Sequence, residues 1–448
     1  MKIMTTTYRL ALRGFVCCGI AAALTSCRFE DEDYFDEPAA QRIETTATAI
    51  QKTLVDAQNG WVMQYFTGTD EIEGFNLFAR FENGNKVTMA SDHRFLRNDQ
   101  AGKYTEYASL YEVLKEDGPV LAFNTWNEVL TPFVDPVDPS SAPKNLVKDG
   151  EGMKGDNNFV VLSYNSDEVL LRGERHNARV RLVPCDGSWE DYIAATNQLK
   201  EYFATSIITN YYVTNGTDTL YFKGLRNGSF TYCERISDPL FPTTVNCVFT
   251  PKGFRLHHEN DINGTRFQEF HMAADSTCLV SENDSVRVMA LWDTYVVNHA
   301  AIWPIDQESL TTSQKQIMGQ IDAAVKNFSN NYALESINIG RSSGSDNVYG
   351  LVLRFYTNAA QTKFTTAGMA LNVSRPAFGQ MTITLDSDAS IDKNFKNLAN
   401  KLGNDFIALV HSLAQTLVGE YDIVPNNYFQ PTGAVLNATD GSKSIKLQ

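Results

Sequence analysis

The chain has 448 residues, of which 43% are hydrophobic and 11% aromatic, and its formal net charge is −15. This composition excludes wholesale disorder, because the chain carries enough apolar side chains to build a sizeable core. The acidic balance argues against a nucleic-acid partner, which requires a clustered basic surface. No run of about 18 apolar residues is present, so the sequence predicts no membrane-spanning helix.

The N-terminal segment, residues 1–26, has the pattern of a lipoprotein signal peptide. Three basic residues precede an apolar stretch, residues 14–24, that is too short to span a bilayer but suits a secretory signal. The stretch ends in Leu24-Thr25-Ser26-Cys27, which resembles the bacterial lipobox. The pattern predicts cleavage before Cys27 and acylation of Cys27, so that the N-terminal lipid anchors the protein to a membrane.

Residues 27–37 form a predicted acidic tether that follows the lipid. Its four consecutive acidic residues, Glu30-Asp31-Glu32-Asp33, resemble the surface-export signal of lipoproteins in anaerobes with SusC/SusD-type uptake systems. This likeness predicts an outer-membrane protein that faces the exterior. A solvated tether that repels anionic lipid headgroups explains the same residues.

The first predicted domain, residues 38–204, begins with an amphipathic helix and continues as an antiparallel meander. Pro38 suits the first turn of a helix, and Asn59-Gly60 is a typical stop signal. Glu82-Asn83-Gly84-Asn85 predicts a hairpin turn, and Ser188-Trp189-Glu190-Asp191 resembles the capping box of a second helix. The predicted strands cover residues 61–66, 75–81, 86–91, 109–114, 120–124, 159–164, 168–174 and 178–183.

A β-rich middle region, residues 205–304, and a C-terminal α+β region, residues 305–448, complete the predicted chain. Turn signals such as Asn263-Gly264 divide the middle region into strands, and Trp303-Pro304 indicates its boundary. The predicted fold class is therefore α+β, with mainly antiparallel β meanders and a few packed amphipathic helices in two or three sub-domains.

The clearest predicted helix covers residues 391–418 of the C-terminal region. Leucines recur along one side at helical spacing, which is typical of a helix that covers a sheet. We expect the inward side chains to be buried and the polar ones to point outward. The expected inward residues are Leu402, Leu409 and Leu413, and the expected outward residues are Lys396, Asn400 and Asp405.

Four cysteines remain after the signal peptide and Cys27 are set aside: Cys185, Cys233, Cys247 and Cys278. Four cysteines allow three pairings. Cys233 and Cys247 lie in adjacent predicted strands, which favours that pair as a disulfide. Buried thiols explain the same residues equally well.

One histidine cluster is a candidate metal site. If Asn263-Gly264 is a two-residue turn, His258 lies opposite Glu269, and His271 lies on the same face one diagonal away. Two imidazoles and a carboxylate could hold zinc. A solvated His–Glu cross-strand pair explains the same residues, and a register shift of one residue would separate them.

Other motifs point away from catalysis. Gly340-Arg341-Ser342-Ser343-Gly344 matches a nucleophile elbow, but a strand rather than a helix is predicted to follow it. Exposed tryptophans and tyrosines could stack on sugars, although aromatic residues on strands are more often part of a core. The tryptophans are Trp61, Trp126, Trp189, Trp292 and Trp303.

Four local motifs, in their order and spacing, resemble a lipoprotein family called domain of unknown function 4302. They are Phe35-Asp36-Glu37-Pro38-Ala39, the segment 59–66, the segment 118–127, and Gly253-Phe254-Arg255-Leu256 followed by Ile262-Asn263-Gly264. The resemblance implies an outer-membrane lipoprotein encoded near TonB-linked receptors and SusD-like lipoproteins. It implies no catalytic residues, because none is established for the family.

Two functions fit these patterns. The first is a lipid-anchored accessory or binding lipoprotein of an outer-membrane nutrient-uptake system, which would contact a TonB-linked receptor complex and bind a glycan, a peptide or haem. The alternative is a metal-dependent hydrolase of the same system, with zinc held by His258, Glu269 and His271.

Overall fold

The computed structural model describes residues 38–70, 72–135, 152–208, 210–223, 229–235, 238–298, 302–343 and 346–448. The signal peptide, Cys27 and the acidic tether lie outside the described residues. The side chains of residues 98 and 223–244 are likewise not described. Among the described residues, no helix combines the length and the apolar character needed to cross a membrane.

The first part of the chain forms a nine-stranded antiparallel sheet in the order β4-β3-β2-β1-β9-β8-β7-β6-β5. The predicted hairpin turn is confirmed, since Gly84 and Asn85 adopt positive φ values of 80° and 62° between β2 and β3. The strands are β1 (Trp61–Phe66), β2 (Phe75–Glu82), β3 (Lys86–Ser91), β4 (Thr105–Leu110), β5 (Glu112–Lys115), β6 (Pro119–Ala122), β7 (Asn158–Tyr164), β8 (Val169–Gly173) and β9 (Arg179–Pro184).

Helices cover both faces of this sheet. The first helix, α1 (Ala39–Asp56), buries Ile50 and Leu54 against one face, as its sequence periodicity predicts. The short helix α2 (Thr131–Val134) lies in the connection between β6 and β7. The third helix, α3 (Trp189–Ala204), starts at the predicted cap, where the Ser188 side chain accepts a hydrogen bond from the backbone N–H of Asp191. It covers the opposite face and leads the chain into the middle region.

The middle region is a closed barrel of eight antiparallel strands, β10 to β17. Closure follows from the pairing of β10 with β17, which leaves neither strand as an open edge. Fully buried apolar residues such as Val213, Phe267 and Val288 belong to its core. The strands are β10 (Asn210–Thr214), β11 (Thr219–Lys223), β12 (Ser229–Arg235), β13 (Asp238–Thr250), β14 (Gly253–Ile262), β15 (Thr265–Met272), β16 (Leu279–Ser281) and β17 (Arg287–Ala290).

Two further antiparallel sheets, β18 to β21 and β22 to β26, build the C-terminal region. The short helix α4 (Trp292–Asn298) connects the barrel to them, and α5 (Thr312–Phe328) begins at a capping box formed by Thr311 and Gln314. The strands are β18 (Ile302–Pro304), β19 (Ala333–Arg341), β20 (Tyr349–Tyr356), β21 (Phe364–Ala370), β22 (Asn372–Ser374), β23 (Gln380–Thr384), β24 (Gly419–Pro425), β25 (Ala434–Ala438) and β26 (Ser444–Leu447).

The long C-terminal helix predicted over residues 391–418 is two helices, α6 (Lys393–Leu402) and α7 (Asn404–Leu417). The break occurs at Gly403, whose φ of +83° ends the first helix. Both helices contact β21, as expected for a pair that covers a sheet. Leu413 is fully buried, whereas Leu402 and Leu409 are only half-buried. The expected outward residues Lys396, Asn400 and Asp405 are all exposed.

One continuous apolar cluster joins the barrel to the C-terminal sheets. The sequence predicts a domain boundary at Trp303. In the structure Trp303 lies in β18, the edge strand of the sheet formed by β18 to β21, and it belongs to this cluster. The first sheet has separate clusters under α1 and under α3. The structure confirms the predicted α+β class with antiparallel sheets.

Candidate functional site

The candidate site lies between the first sheet and the barrel, on the central strand pair β1 and β9. Side chains alternate along β1, so the odd-numbered residues, such as Met63, pack under α1. The even-numbered residues Val62, Gln64 and Phe66 face α3 and the barrel. The barrel-facing side of this strand pair therefore forms one wall of a cleft.

The cleft has a volume of about 830 Å³. Arg181 and Val183 of β9 and Gln64 of β1 line one side, and Tyr192 of α3 lines a second. The barrel closes it with the β13–β14 turn at residues 250–252 and with β15 at Glu269 and His271. A cleft of this size at the junction of two structural regions is a typical place for a small-molecule site.

Arg181 is the charged centre of the cleft wall. Its Nε donates to Glu168 Oε2 at 2.5 Å, and its Nη1 donates to Glu269 Oε2 at 2.6 Å. Burial acts to lower the pKa of Arg181, but the carboxylates of Glu269 and Glu168 outweigh burial and hold its pKa above the usual value. The arginine thus ties the first sheet to the barrel through charge-assisted hydrogen bonds.

A second arginine, Arg255 of β14, lies close to this group. Burial and the neighbouring charge of Arg181 lower the pKa of Arg255 to about 10, and Glu269 partly opposes them. Glu282 accepts hydrogen bonds from the backbone N–H groups of Gln268 and Glu269, which fixes this part of β15. Carboxylates outnumber guanidinium and ammonium groups among the lining residues, so the cleft favours neutral or cationic groups over anions.

Gln64 presents a polar atom that nothing in the described part of the protein satisfies. Its residue is 2% exposed, and its Oε1 has no hydrogen-bond partner among the described residues. Tyr192 lies beside this side chain in the cleft lining. A buried carbonyl oxygen without a partner carries a free-energy penalty of about 1–3 kcal/mol, which a hydrogen-bond donor on a ligand would remove.

The predicted trio of His258, Glu269 and His271 does not come together. The Asn263-Gly264 turn forms as expected, with Ile262 opposite Thr265, but a bulge in β14 shifts the register beyond it. Arg255, and not His258, therefore lies opposite Glu269. Glu269 and His271 line the cleft, whereas His258 lies against Asp70, which follows β1.

The backbone register of β12 and β13 bears on the predicted pair of Cys233 and Cys247. Cys233 lies opposite Thr243, which is four residues from Cys247 along β13, a separation of roughly 13 Å. A disulfide requires Cα atoms within about 7 Å, so this register argues against the Cys233–Cys247 bond. Cys185 and Cys278 carry buried free thiols, and burial raises the pKa of Cys185 above its usual value. The side chain of Cys233 lies outside the described residues.

Most of the tryptophans are core residues. Trp61, Trp189, Trp292 and Trp303 are buried, whereas Trp126 is 45% exposed. Arg97 covers the Trp126 ring at 4.5 Å and Glu128 accepts a hydrogen bond from the indole, so one ring face is occupied. Ser342 accepts a hydrogen bond from the N–H of Val348, and β20 begins at Tyr349. A strand therefore follows the motif, and the described residues before it do not form the helix that a nucleophile elbow requires.

Sequence reasoning missed Gln64, Arg181 and Tyr192. Gln64 and Arg181 are ordinary members of alternating strands, and Tyr192 follows the spacing of a helix core. Their convergence depends on how the barrel docks on β1 and β9. No local pattern in the sequence encodes that docking.

A small second cavity, of about 270 Å³, lies on the other side of α3 and contacts His93 and Thr196. It has less than a third of the volume of the larger cleft. We therefore take the larger cleft as the candidate site.

The comparisons with known proteins identify a family but no activity. No curated protein matches the chain. Among solved structures, a putative DNA polymerase III beta subunit from Eubacterium rectale ATCC 33656 aligns with 9% identity over 91% of this chain and 96% of that chain. Its TM-score of 0.12 supports no statement about the fold or function of this protein.

The family model for a domain of unknown function, DUF4302, matches residues 31–274. This match covers the first sheet, α3, most of the barrel strands and every residue that lines the cleft except Glu282. It also covers more than half of the chain. The protein is thus a member of the DUF4302 family.

Proposed function

We propose that this protein is a lipid-anchored accessory lipoprotein of an outer-membrane nutrient-uptake system, and that it binds a neutral polar ligand in the cleft beside Arg181. The observation that carries the binding role is the buried Gln64 Oε1, which lacks a hydrogen-bond partner among the described residues and lines a cleft of about 830 Å³. The lipid anchor and the uptake system rest on the lipobox at Cys27 and on the family resemblance.

The charge distribution of the cleft narrows the class of ligand. Asp186, Asp191, Glu269 and Glu282 outnumber Arg181 and Lys252 in its lining. An excess of carboxylates repels anionic groups such as the propionates of haem. Hydroxyl or amide donors of a glycan or a peptide would satisfy Gln64 Oε1 without a charge conflict.

The titratable groups of the cleft suit binding better than catalysis. Burial raises the pKa of the Tyr192 phenol above its usual value, so it stays protonated and serves as a hydrogen-bond donor or acceptor. Burial likewise raises the pKa of the Cys185 thiol, which donates to the carbonyl of Gly187. A protonated thiol is a weak nucleophile.

The binding role can be tested with the lipidated chain purified in detergent. Panels of glycans, peptides and haem would be screened by calorimetry, with the Tyr192→Phe variant beside the wild type. We expect a glycan or a peptide to bind. Removal of the Tyr192 hydroxyl should weaken binding about 2- to 10-fold, the usual range for one hydrogen bond.

Tyr202→Phe is a matched control, because Tyr202 lies in the same helix but donates to Asn427 on the far side. It should leave the affinity unchanged. Equal effects of both variants, binding of haem alone, or hydrolysis of every ligand without separable binding would contradict the proposal.

The anchor has a separate test. We expect Cys27→Ala to leave the membrane fraction after a carbonate wash, because covalent lipid is the proposed attachment. Protease added to intact cells should digest the wild type, and alanine at residues 30–33 should restore protection. A Cys27→Ala variant that still pellets with membranes would overturn the lipoprotein assignment. Full protection of the wild type would place the protein on the periplasmic side, away from a surface receptor complex.

A further inference from the structure

Three potential metal ligands converge near the cleft, at Asp70, His257 and His258. Asp70 Oδ1 lies 2.9 Å from His258 Nε2 and 3.0 Å from His257 Nδ1. All three ligand atoms lie within 4.8 Å of one another. The cluster is distinct from the trio predicted from sequence and shares only His258 with it.

The bulge in β14 brings the two histidines to one side. In a regular strand, successive side chains point to opposite faces. Between Arg255 and Asn260 the pairing with β15 is interrupted, and the two imidazole rings stack with centroids 4.0 Å apart. Bulges commonly re-aim a side chain beside a functional site.

Neighbouring residues hold His257 and Asp70 of this cluster in place. The His257 ring stacks on Phe66 of β1 with centroids 4.6 Å apart and an interplanar angle of 7°. The Asn246 side chain of β13 donates to the backbone carbonyl of Asp70, which fixes the loop that carries the carboxylate. The first sheet and the barrel thus each supply and orient ligands.

His257 supplies the second observation that points to a ligand. Its side chain is 6% exposed, and the 3.0 Å contact of Nδ1 with Asp70 lacks the geometry of a hydrogen bond. Nδ1 has no hydrogen-bond partner within the described ranges.

We propose that Asp70, His257 and His258 bind a divalent transition-metal ion such as Zn²⁺. Zinc lies about 2.0–2.2 Å from nitrogen and oxygen ligands, which places the ligand atoms of a tetrahedral site about 3.3 Å apart. The two contacts to Asp70 Oδ1 would need to open by about 0.4 Å, and the two histidine nitrogens lie within 4.8 Å of each other. Two imidazoles and one carboxylate suit zinc, nickel or copper better than calcium or magnesium.

The remaining coordination position faces solvent, because His258 and Asp70 are exposed. Such an ion would join the loop after β1 to strand β14. His257 stacks on Phe66, which lies opposite Arg179 in β9. This pair is two residues along the strands from Gln64 and Arg181, so the ion would stabilise one end of the cleft. The guanidinium of Arg179 opposes a cation at His257, and Asp70 favours it. The metal site does not depend on the proposed ligand.

The test uses the full lipidated chain in detergent, purified without a histidine tag and stripped with a chelator. Titration with Zn²⁺ alone, followed by calorimetry, should give one site per chain. Asp70→Asn and His258→Gln should each weaken the affinity about tenfold or more. Both side chains are exposed, so these variants retain the core, and Co²⁺ absorption bands provide an independent readout of the ligand set.

His271→Gln is the matched control, because this histidine lies on the neighbouring strand outside the cluster. Its affinity for Zn²⁺ should equal that of the wild type. At one fixed concentration, Zn²⁺ should also raise the melting temperature of the wild type and of His271→Gln by more than that of Asp70→Asn. Absence of one-equivalent binding would overturn the proposal, as would equal losses in His271→Gln or no loss in either cluster variant.

Discussion

The two faces of the β1–β9 strand pair differ in what they bury. On the face under α1, the directly opposed Met63 and Leu182 and the neighbouring Trp61 are fully buried in an apolar core. On the face toward the barrel, the next opposed pair is Gln64 and Arg181. The same two strands thus stabilise the fold on one side and present polar groups on the other.

This difference shows how a β-rich protein separates stability from binding. An apolar face gains free energy by burial alone and needs no partner outside the chain. The polar face between the first sheet and the barrel holds buried groups that require hydrogen-bond partners. Gln64 Oε1 lacks such a partner within the described ranges. Substitutions on the two faces should therefore have effects of different kinds and sizes.

The largest effect should come from the face under α1. Trp61 is 1% exposed and donates an indole hydrogen bond to the carbonyl of Leu54. Trp61→Ala should lower the free energy of unfolding by about 3–5 kcal/mol, the usual range for a large-to-small core change. Urea denaturation measures this. A change within about 0.5 kcal/mol would mean that this face is not the stabilising one.

The second largest effect should be the pH dependence of the free energy of unfolding, which a buried histidine in the apolar core gives rise to. Burial lowers the pKa of His93 to about 4, with Val129 accepting from its ring and Phe95 donating to it. The folded state therefore binds fewer protons than the unfolded state between about pH 6.5 and pH 4, and stability rises with pH in that window. We expect a loss of roughly 1–3 kcal/mol on acidification across it.

Denaturation of the wild type at several pH values checks the expected slope. His93→Gln removes this titrating group and should reduce the slope between pH 6.5 and pH 4.5. A wild-type curve that is already flat in this window, or a slope that His93→Gln leaves unchanged, would refute a neutral buried His93.

The smallest stability effect should come from the cleft face. Arg181→Met removes the partner of Glu168 and Glu269, which are each about one-third exposed and can be partly rehydrated. We expect a loss of about 1–2 kcal/mol together with weaker ligand binding. Arg354→Met is a matched control, since Arg354 pairs with Glu335 at the surface of the C-terminal region.

The control should change stability by less than about 1 kcal/mol and leave ligand binding unaltered. Equal effects of Arg181→Met and Arg354→Met on stability and binding would show that the cleft ion pairs behave as ordinary surface pairs. A loss from Arg181→Met as large as that from Trp61→Ala would remove the distinction between the two faces.

Much of the fold could be predicted because local signals determine it. Strands β1 and β3 begin and end where the sequence indicates, since Asn59-Gly60 and the 82–85 turn leave few alternatives. The start of α3 follows from its Ser188 cap. The break at Gly403 was missed because the apolar period continues across it, and only its positive φ separates α6 from α7.

The candidate sites were less accessible to sequence reasoning because they depend on tertiary contacts. Because of the bulge in β14, Arg255 lies opposite Glu269 in place of the predicted His258. The Asn263-Gly264 turn does not indicate that a bulge follows. Asp70 lies 188 residues before His258 in the chain. Glu269 and His271 were recognised as neighbours on one strand, but their partners in the cleft come from the first sheet and α3.

Amide hydrogen exchange with and without the bound ligand is the most direct test of whether the barrel-facing side of β1 and β9 is the binding face. We expect added protection at residues 181–192 and 250–252, which border the cleft, and none in α1 on the opposite face. Protection that is confined to α1, or to the exposed region around Trp126, would contradict it.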